Sequence, residues 1–161
     1  MNAIQPFETV VARHGATVLR VCRAVAGPDD ADDAWSDTFL SALRAWPALP
    51  ADANVEAWLV TIAQRKGIDA RRARARRARP VPDLPDPSPT PPTDVDPMGR
   101  VADAVAALPE RQRLAVTYHH IAGLPHAEVA AILDSTPTAV RKAASDGIRA
   151  LRAVLANGAP T

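Results

Sequence analysis

The stretch that decides the fold is LPERQRLAVTYHHIAGLPHAEVAAILDSTPTAVRKAASDGIRALRAVL, residues Leu108–Leu155. Its second half predicts two short helices, His126–Leu133 and Thr138–Leu155, separated by a polar turn. Within that turn Thr136 is a good N-cap, and Pro137 is a good first helical residue because no helical hydrogen bond needs its missing N–H. Two short helices joined by such a turn are typical of a helix-turn-helix.

The last of these helices has two different faces. Apolar residues recur at helical spacing and should face the core: Val140, Ala144, Ile148, Leu151 and Leu155. The opposite side carries Thr138, Arg141, Lys142, Ser145, Arg149 and Arg152. A polar, basic face on a second helix suits the major groove of DNA and its phosphates. An ordinary solvated face would show the same pattern, so periodicity alone leaves both interpretations open.

Upstream of this stretch, residues 80–97 contain eight of the sixteen prolines and four aspartates, with almost nothing that could fill a core. Proline removes a backbone donor and favours extended conformations, so the segment is predicted to be a flexible acidic linker. At about 3.1 Å per residue it could span roughly 55 Å. It divides the chain into a first domain, residues 1–79, and a second domain, residues 98–161.

Helical periodicity continues on both sides of the linker. Before it we predict helices over Phe7–Ala26 and Asp30–Trp46, and a third that Asn54 caps and that runs into an arginine-rich stretch. After it we predict helices over Gly99–Ala107 and Glu110–Ala122, ahead of the helix-turn-helix. The predicted fold class is therefore all-α, with two small helical domains, the second a winged-helix-like helix-turn-helix.

Charge is segregated along the chain, although the formal net charge is only +1. Residues 1–64 carry a balance of −4, residues 65–79 one of +7 and residues 80–97 one of −4. The strongest physical signal is the basic segment: Arg65, Lys66, Arg71, Arg72, Arg74, Arg76, Arg77 and Arg79. Such a density of like charge repels itself, and neutralisation of nucleic-acid phosphates would explain it. A solvated helix end is the alternative.

Two clusters raise the question of a metal ion. One is acidic: Asp29, Asp30, Asp32, Asp33 and Asp37. It suits a helix start or a protein-docking surface better than a divalent ion, which needs further converging oxygens. The other is His119, His120 and His126, which no cysteine or carboxylate completes at zinc spacing. We predict no metal site.

Catalytic and membrane signals are missing as well. No nucleophile elbow or phosphate loop is present, and the lone Cys22 cannot form an internal disulfide. We therefore predict a protein that is not an enzyme and needs no cofactor. There is no targeting segment and no run of 18 apolar residues, which predicts no membrane insertion and a cytoplasmic location.

Three stretches resemble the extracytoplasmic-function subfamily of the sigma-70 family of RNA polymerase sigma factors. DADDAWSDTFLSALRAW, Asp30–Trp46, is similar to the second conserved region. EAWLVTIAQRKGIDARRARARR, Glu56–Arg77, is similar to the helix that melts the promoter and reads its −10 element. Leu108–Leu155 is similar to the fourth region, which reads the −35 element. The three occur in family order and cover nearly the whole chain outside the linker and the extreme termini.

The resemblance implies a factor that binds core RNA polymerase and directs promoter-specific transcription initiation. It implies docking on the β′ clamp coiled coil through Asp33, Asp37, Phe39, Leu40 and Arg44. Contacts to the −10 region would come from Arg65, Lys66, Arg71, Arg72 and Arg74. Contacts to the −35 region would come from Thr136, Thr138, Arg141, Lys142, Ser145 and Arg149. The implied partners are core polymerase (its β′ clamp coiled coil and β flap) and double- and single-stranded promoter DNA, with an anti-sigma factor as a further candidate.

Four places depart from the family pattern. Ser36 stands where glutamine is common, Arg65 where asparagine is frequent, and Asp134 where the turn has glycine. The basic run expected late in the last helix is replaced by Ala-Ala-Ser-Asp-Gly at residues 143–147, which leaves fewer phosphate contacts. Gly147 also costs about 1 kcal/mol of helix propensity relative to alanine.

Two other classes of protein remain to be distinguished from a sigma factor. A stand-alone helix-turn-helix regulator would have the same second domain, but the basic helix end before the linker favours the sigma factor. A nuclease or other metal enzyme would need ligands that the sequence does not supply. Run-off transcription with core polymerase separates the first two classes, since only a sigma factor starts transcripts.

Overall fold

The structure is a computed structural model that describes residues 5–78 and 97–158, without the side chain of Met98. The described residues form seven α-helices, a short 3₁₀ turn and one π-helical turn, with no strand. The all-α prediction is confirmed. None of the helices within these two ranges combines the length and apolar character needed to cross a bilayer. The predicted linker lies outside the described residues, except for Pro97, which begins a helix.

The first part of the chain forms three helices: α1 (Phe7–Ala26), α2 (Ala31–Ala45) and α3 (Val55–Arg77). Gly27 ends α1 with a φ of 88°, a backbone conformation that glycine adopts without steric cost. A 3₁₀ turn over Trp46–Ala48 follows α2. α3 begins as the sequence predicts, because Asn54 Oδ1 accepts a hydrogen bond from the Ala57 N–H at 3.1 Å.

Small branched side chains fill the core of this bundle. The fully buried ones include Val18, Val21, Leu59 and Val60. Trp58 packs against that core with its ring centroid 6.2 Å from that of Trp46. The spacing of Trp58 with its apolar neighbours predicts a packing residue, and the structure confirms it.

The second part contains four helices: α4 (Pro97–Ala107), α5 (Glu110–Ala115), α6 (His126–Ile132) and α7 (Pro137–Asn157). Thr136 caps α7 as predicted, with its Oγ1 accepting from the Ala139 N–H at 3.2 Å. Asp134 in the preceding turn has a φ of 49°, which aspartate tolerates better than most residues. α6, the turn and α7 form the predicted helix-turn-helix.

The helix predicted over Glu110–Ala122 is present over Glu110–Ile121, but its second half is π-helical and not α-helical. The α-helix ends at Ala115, and Val116–Ile121 forms a π-helical turn in which the Ala122 N–H bonds the Thr117 carbonyl at 2.9 Å. A π turn adds a residue to a helical turn, and the four successive residues from Ala115 to Tyr118 are all buried. Apolar spacing read at 3.6 residues per turn does not reveal such an insertion.

The two parts of the chain pack against each other. The largest cluster of buried apolar side chains joins Val25 and Leu59 of the first part to Tyr118, Leu124 and Val129 of the second. A smaller cluster lies within the second part and includes Val105, Leu108, Val116 and Leu151. The reach predicted for the linker would allow separate domains, and the structure instead shows them in contact. We call this arrangement the closed form.

Gly147, an unfavourable residue inside a helix, has a packing reason. A Cβ atom at this position would lie 2.7 Å from Cγ2 of Val116 and 3.3 Å from the Gln112 carbonyl oxygen. α7 therefore passes too close to α5 and the π turn to carry a side chain there. This departure from the family pattern follows from the way these helices pack.

Candidate nucleic-acid and polymerase interfaces

The six residues predicted to contact the −35 region form what we call the α7 face: Thr136, Thr138, Arg141, Lys142, Ser145 and Arg149. All six are exposed. The other side of α7 is buried through Val140, Ala144, Gly147 and Leu151. Residues three and four apart share one side of a helix, so the side chains from Thr138 to Arg149 form a single row. The predicted orientation of α7 is confirmed.

One acidic residue lies beside this row. Asp146 accepts hydrogen bonds from Lys142 Nζ at 2.7 Å and from Arg149 Nη1 at 3.4 Å. The bond from Lys142 holds the pKa of Asp146 below its usual range, so the carboxylate is ionised at neutral pH. Arg141 takes part in none of the ion pairs found among the described residues. The i, i+4 spacing of Lys142 and Asp146 was a sequence signal for this pairing that our prediction did not use.

The residues predicted to contact the −10 region form the α3 basic end: Arg65, Lys66, Arg71, Arg72 and Arg74. Two of them already have carboxylate partners. Arg71 Nη2 lies 2.7 Å from Asp103 Oδ1 of α4. Arg74 pairs with Asp29 at 2.8 Å and Asp30 at 3.3 Å, just before α2, and the bond with Asp29 raises the pKa of Arg74. One partner therefore belongs to the second part of the chain, which no sequence signal indicated.

Two further polar contacts join the parts. The Thr61 and Tyr118 hydroxyls lie 2.6 Å apart. Because Thr61 already donates to the Ala57 carbonyl at 2.8 Å, the Tyr118 hydroxyl donates to Thr61. Burial raises the pKa of Tyr118, so this proton is held well above neutral pH. On the surface, Asn54 Nδ2 donates to Glu128 Oε2 at 3.0 Å.

α2 presents four of the five predicted docking residues on its surface, and we call them the α2 face: Asp33, Asp37, Leu40 and Arg44. The fifth, Phe39, is a correction: it is only 6% exposed, and its ring centroid lies 4.7 Å from that of Trp35. Phe39 therefore supports α2 from inside and does not belong to the exposed α2 face. The prediction missed Leu43, which is 50% exposed beside Leu40 at 52%. Two half-exposed leucines on one helix indicate an apolar contact site.

The three histidines form a cluster of rings. His119 stacks on His126 with centroids 3.7 Å apart and meets His120 edge-on at 4.8 Å. The His119 Nδ1 atom is hydrogen-bonded with the Leu124 carbonyl at 2.8 Å. Desolvation and then neighbouring positive charge lower the pKa of both His120 and His126. Within the part of the chain that the structure describes, no group of three or more potential ligands is placed to hold a metal ion.

Two family models match the two parts of the chain. The model of sigma-70 region 2 matches residues 10–77, and the model of sigma-70 region 4 matches residues 98–151. The chain belongs to the sigma-70 family. The matching region 4 model is the extracytoplasmic-function type of that region, so this sigma factor is of that type. The α3 basic end lies in its region 2 and the α7 face in its region 4.

Solved structures resemble this sigma factor over nearly their whole length. CnrH, in its complex with the cytosolic domain of CnrY, is 26% identical with a TM-score of 0.68, covering 95% of this chain and 89% of that one. The sigma factor RpoE, in its complex with the anti-sigma factor NepR from Bartonella quintana, is 19% identical with a TM-score of 0.64, covering 95% and 98%. At that lower identity the second likeness shows the fold alone.

Proposed function

We propose that this sigma factor binds core RNA polymerase and directs promoter-specific transcription initiation through the −10 and −35 elements. The observation that carries the proposal is the α7 face: six exposed polar or basic side chains on the second helix of a helix-turn-helix. Residues 1–79 would dock on the polymerase and contact the −10 region, residues 80–97 would connect, and residues 98–161 would contact the −35 region. The factor performs no chemistry of its own and uses no cofactor.

The α7 face is divided between bases and phosphates. The N-terminal residues of a recognition helix usually contact base edges, which assigns that role to Thr138, Arg141 and Lys142. Arg141 has no carboxylate partner among the described residues, so its guanidinium is available to bind O6 and N7 of a guanine. Arg149 lies two turns further along and contacts phosphate.

The α3 basic end neutralises phosphates of the −10 region. Arg65, Lys66 and Arg72 take part in none of the ion pairs of the described ranges, so they meet DNA first. Arg71 and Arg74 exchange their carboxylate partners for phosphate. This exchange conserves the number of ion pairs, so it is driven by the release of counterions from the DNA.

Docking on the polymerase uses the α2 face together with Leu43. Leu40 and Leu43 form a half-exposed apolar centre, and Asp33, Asp37 and Arg44 surround it with charge. An apolar centre with a polar rim is the usual arrangement of a protein interface. The proposed partner is the coiled coil of the β′ clamp, with the β flap as a second contact.

In this proposal, the free chain adopts the closed form. Elements centred at −10 and −35 lie about 25 base pairs apart, which is about 85 Å at 3.4 Å per base pair. Two helical parts that share one core do not reach both elements at once. The parts must therefore separate when the promoter is bound, and a linker with a reach of roughly 55 Å permits this.

A sigma factor acts where the polymerase is, so the proposed location is the cytoplasm. RpoE of Bartonella quintana was solved with an anti-sigma factor, and we extend that kind of partner to this chain. Such a partner would act by covering the α2 face or by stabilising the closed form. Either mode would prevent polymerase docking or promoter contact.

Run-off transcription with purified core polymerase tests the proposal. Core polymerase alone should give no defined transcripts, and addition of the full-length chain should give transcripts from a small set of start sites. Leu40→Ser with Leu43→Ser should abolish them without lowering helix content. Sequence-specific DNA binding that never supports initiation would instead identify a stand-alone helix-turn-helix regulator.

A further inference from the structure

Two of the cations on the α7 face share one carboxylate. Lys142 binds Oδ2 of Asp146 and Arg149 binds Oδ1, so the two hydrogen bonds use different oxygens. The side chains of Lys142 and Arg149 are 78% and 79% exposed, whereas that of Asp146 is 27% exposed. The Asp146 carboxylate therefore lies close to the helix surface. The long, solvated side chains of Lys142 and Arg149 extend along the helix axis to reach it.

Helix stability does not account for this acid. An exposed ion pair at i, i+4 contributes little to helix stability because water screens it. The order here, base before acid, is also the less favourable one for helix stability. An acid on a surface that is proposed to face DNA occupies cations that could otherwise bind phosphate, so its effect on the helix is small compared with its expected effect on DNA binding.

We propose that Asp146 is a positioning residue that competes with DNA phosphates for Lys142 and Arg149 and so limits sequence-independent binding by the α7 face. This inference rests on the proposed function, in which the α7 face meets the −35 element. Phosphate contacts carry no sequence information. Weakening such contacts by Lys142 and Arg149 on non-promoter duplexes leaves binding more dependent on the base-reading residues and on attachment to the polymerase.

The closed form explains why the free factor would need a restraint on Lys142 and Arg149. The α3 basic end of the free chain is partly engaged by Asp29, Asp30 and Asp103, but the α7 face is entirely exposed. Without Asp146 the free factor would present four cations that have no carboxylate partner among the described residues: Arg141, Lys142, Arg149 and Arg152. Asp146 is therefore the acid that limits capture of the free factor by non-promoter DNA.

The test measures binding of the free full-length chain to a duplex of random sequence between 50 and 200 mM salt. Asp146→Asn should strengthen binding at low salt and steepen the log–log salt slope by about one unit, because one carboxylate offsets the equivalent of one phosphate contact and each contact contributes about 0.9. The loss of affinity across that range should then be about 3.5-fold larger than for the unaltered chain. Asp146→Glu, which keeps a carboxylate, should retain the original slope.

Asp134→Asn is the matched control. It removes the same charge from the same helix-turn-helix, at a residue in none of the ion pairs of the described residues, and asparagine tolerates its φ of 49°. The salt slope of this variant should stay unchanged, because the slope depends on the number of phosphate contacts and not on distant charges. Equal slopes for Asp146→Asn and Asp134→Asn would overturn the proposal.

A second arm separates positioning from simple repulsion. In a Lys142→Ala/Arg149→Ala background, Asp146→Asn should have no effect on the slope or the affinity. A persisting increase would mean that Asp146 acts directly on phosphate, which contradicts the proposal. If Lys142→Ala and Arg141→Ala leave duplex binding unchanged, the α7 face does not bind DNA and the proposed −35 role fails. If they weaken binding while Asp146→Asn does not strengthen it, only this inference fails.

Discussion

The two surfaces that we assign to DNA binding differ in where the ion-pair partners of their basic residues lie. At the α3 basic end, Arg71 and Arg74 pair with carboxylates of other elements, and Asp103 belongs to the second part of the chain. On the α7 face the ion pairs stay within one helix, and every predicted contact residue is exposed. The state of the −10 surface therefore depends on how the two parts are arranged, whereas that of the −35 surface does not.

Under the proposed function, this difference predicts an order of events in promoter binding. The α7 face can meet duplex DNA while the chain is closed. Full use of the α3 basic end requires α4 to move, because Asp103 lies on that helix. We therefore expect changes in the shared core to alter the −10 surface and leave the −35 surface nearly unaffected.

The largest effect should come from Tyr118, which joins the parts through the shared core. Its side chain is 2% exposed, and its hydroxyl bonds Thr61. Tyr118→Ala should lower the free energy of unfolding by about 3–5 kcal/mol, as for other large buried side chains. Tyr118→Phe should cost only about 1 kcal/mol, since it removes one hydrogen bond. Urea unfolding followed by circular dichroism measures both. Equal costs for the two variants would show that the ring contributes little to the contact between the parts.

Gly147 tests how closely the second part is packed behind the α7 face. Gly147→Ala should destabilise the protein by about 1–3 kcal/mol, because the new methyl group meets Val116 at 2.7 Å. Gly15→Ala is the control in α1, where the nearest atom, Cζ2 of Trp35, lies at 3.6 Å. That change should stabilise by about 0.5–1 kcal/mol. The melting temperatures of the two variants should move in opposite directions. A higher melting temperature for Gly147→Ala would contradict the close packing of α7 against α5 and the π turn.

Arg141 and Arg149 test whether the α7 face is divided between base contacts and phosphate contacts. Arg141→Ala should relax preference at one or two −35 positions, with a loss of about 1–3 kcal/mol of discrimination. Arg149→Ala should weaken binding to all sequences alike and reduce the salt slope by about 0.9. Binding across a −35 library at two salt concentrations reports both effects. If Arg141→Ala leaves the sequence preference across the library unchanged, base reading must be assigned to Thr138 or Ser145 instead.

The smallest expected effect concerns Asp103, the partner of Arg71. The Asp103 side chain is 76% exposed, so Asp103→Asn should change stability by no more than about 0.2–1 kcal/mol. Binding of a single-stranded −10 oligonucleotide by the free chain should rise by up to about fivefold, which corresponds to about 1 kcal/mol. Asp32→Asn, an exposed acid in none of the ion pairs of the described ranges, is the control. Equal increases for both variants would mean that net charge alone is responsible.

Local signals in the sequence predict most of the fold. Asn54 and Thr136 cap the helices they were expected to cap, and the buried side of α7 is the predicted apolar stripe. These features depend on neighbouring residues and helical spacing, which a sequence displays directly. The π turn after Ala115 depends on how α5 and α7 pack, so periodicity did not reveal it.

The candidate surfaces were predicted less completely, for two physical reasons. Phe39 and Leu43 lie on the same helix, and their apolar character alone does not tell which one faces inward; the partners of the helix decide that. The pair of Arg71 and Asp103 joins residues 32 positions apart across the linker, and no local pattern encodes such a contact. The exposure of all six residues of the α7 face was predicted correctly because one helix turn and one helix contain them.

The central claim is that the free factor is closed and opens on the promoter, and a distance between the two parts tests it most directly. Fluorophores at Asp52→Cys and Ala127→Cys would lie beside the 3.0 Å contact of Asn54 with Glu128. The native Cys22 is fully buried with a pKa raised to about 11, so it should not label. Energy transfer should be high in the free chain and fall sharply in the complex with core polymerase and promoter DNA. The same high efficiency in that complex would contradict the account.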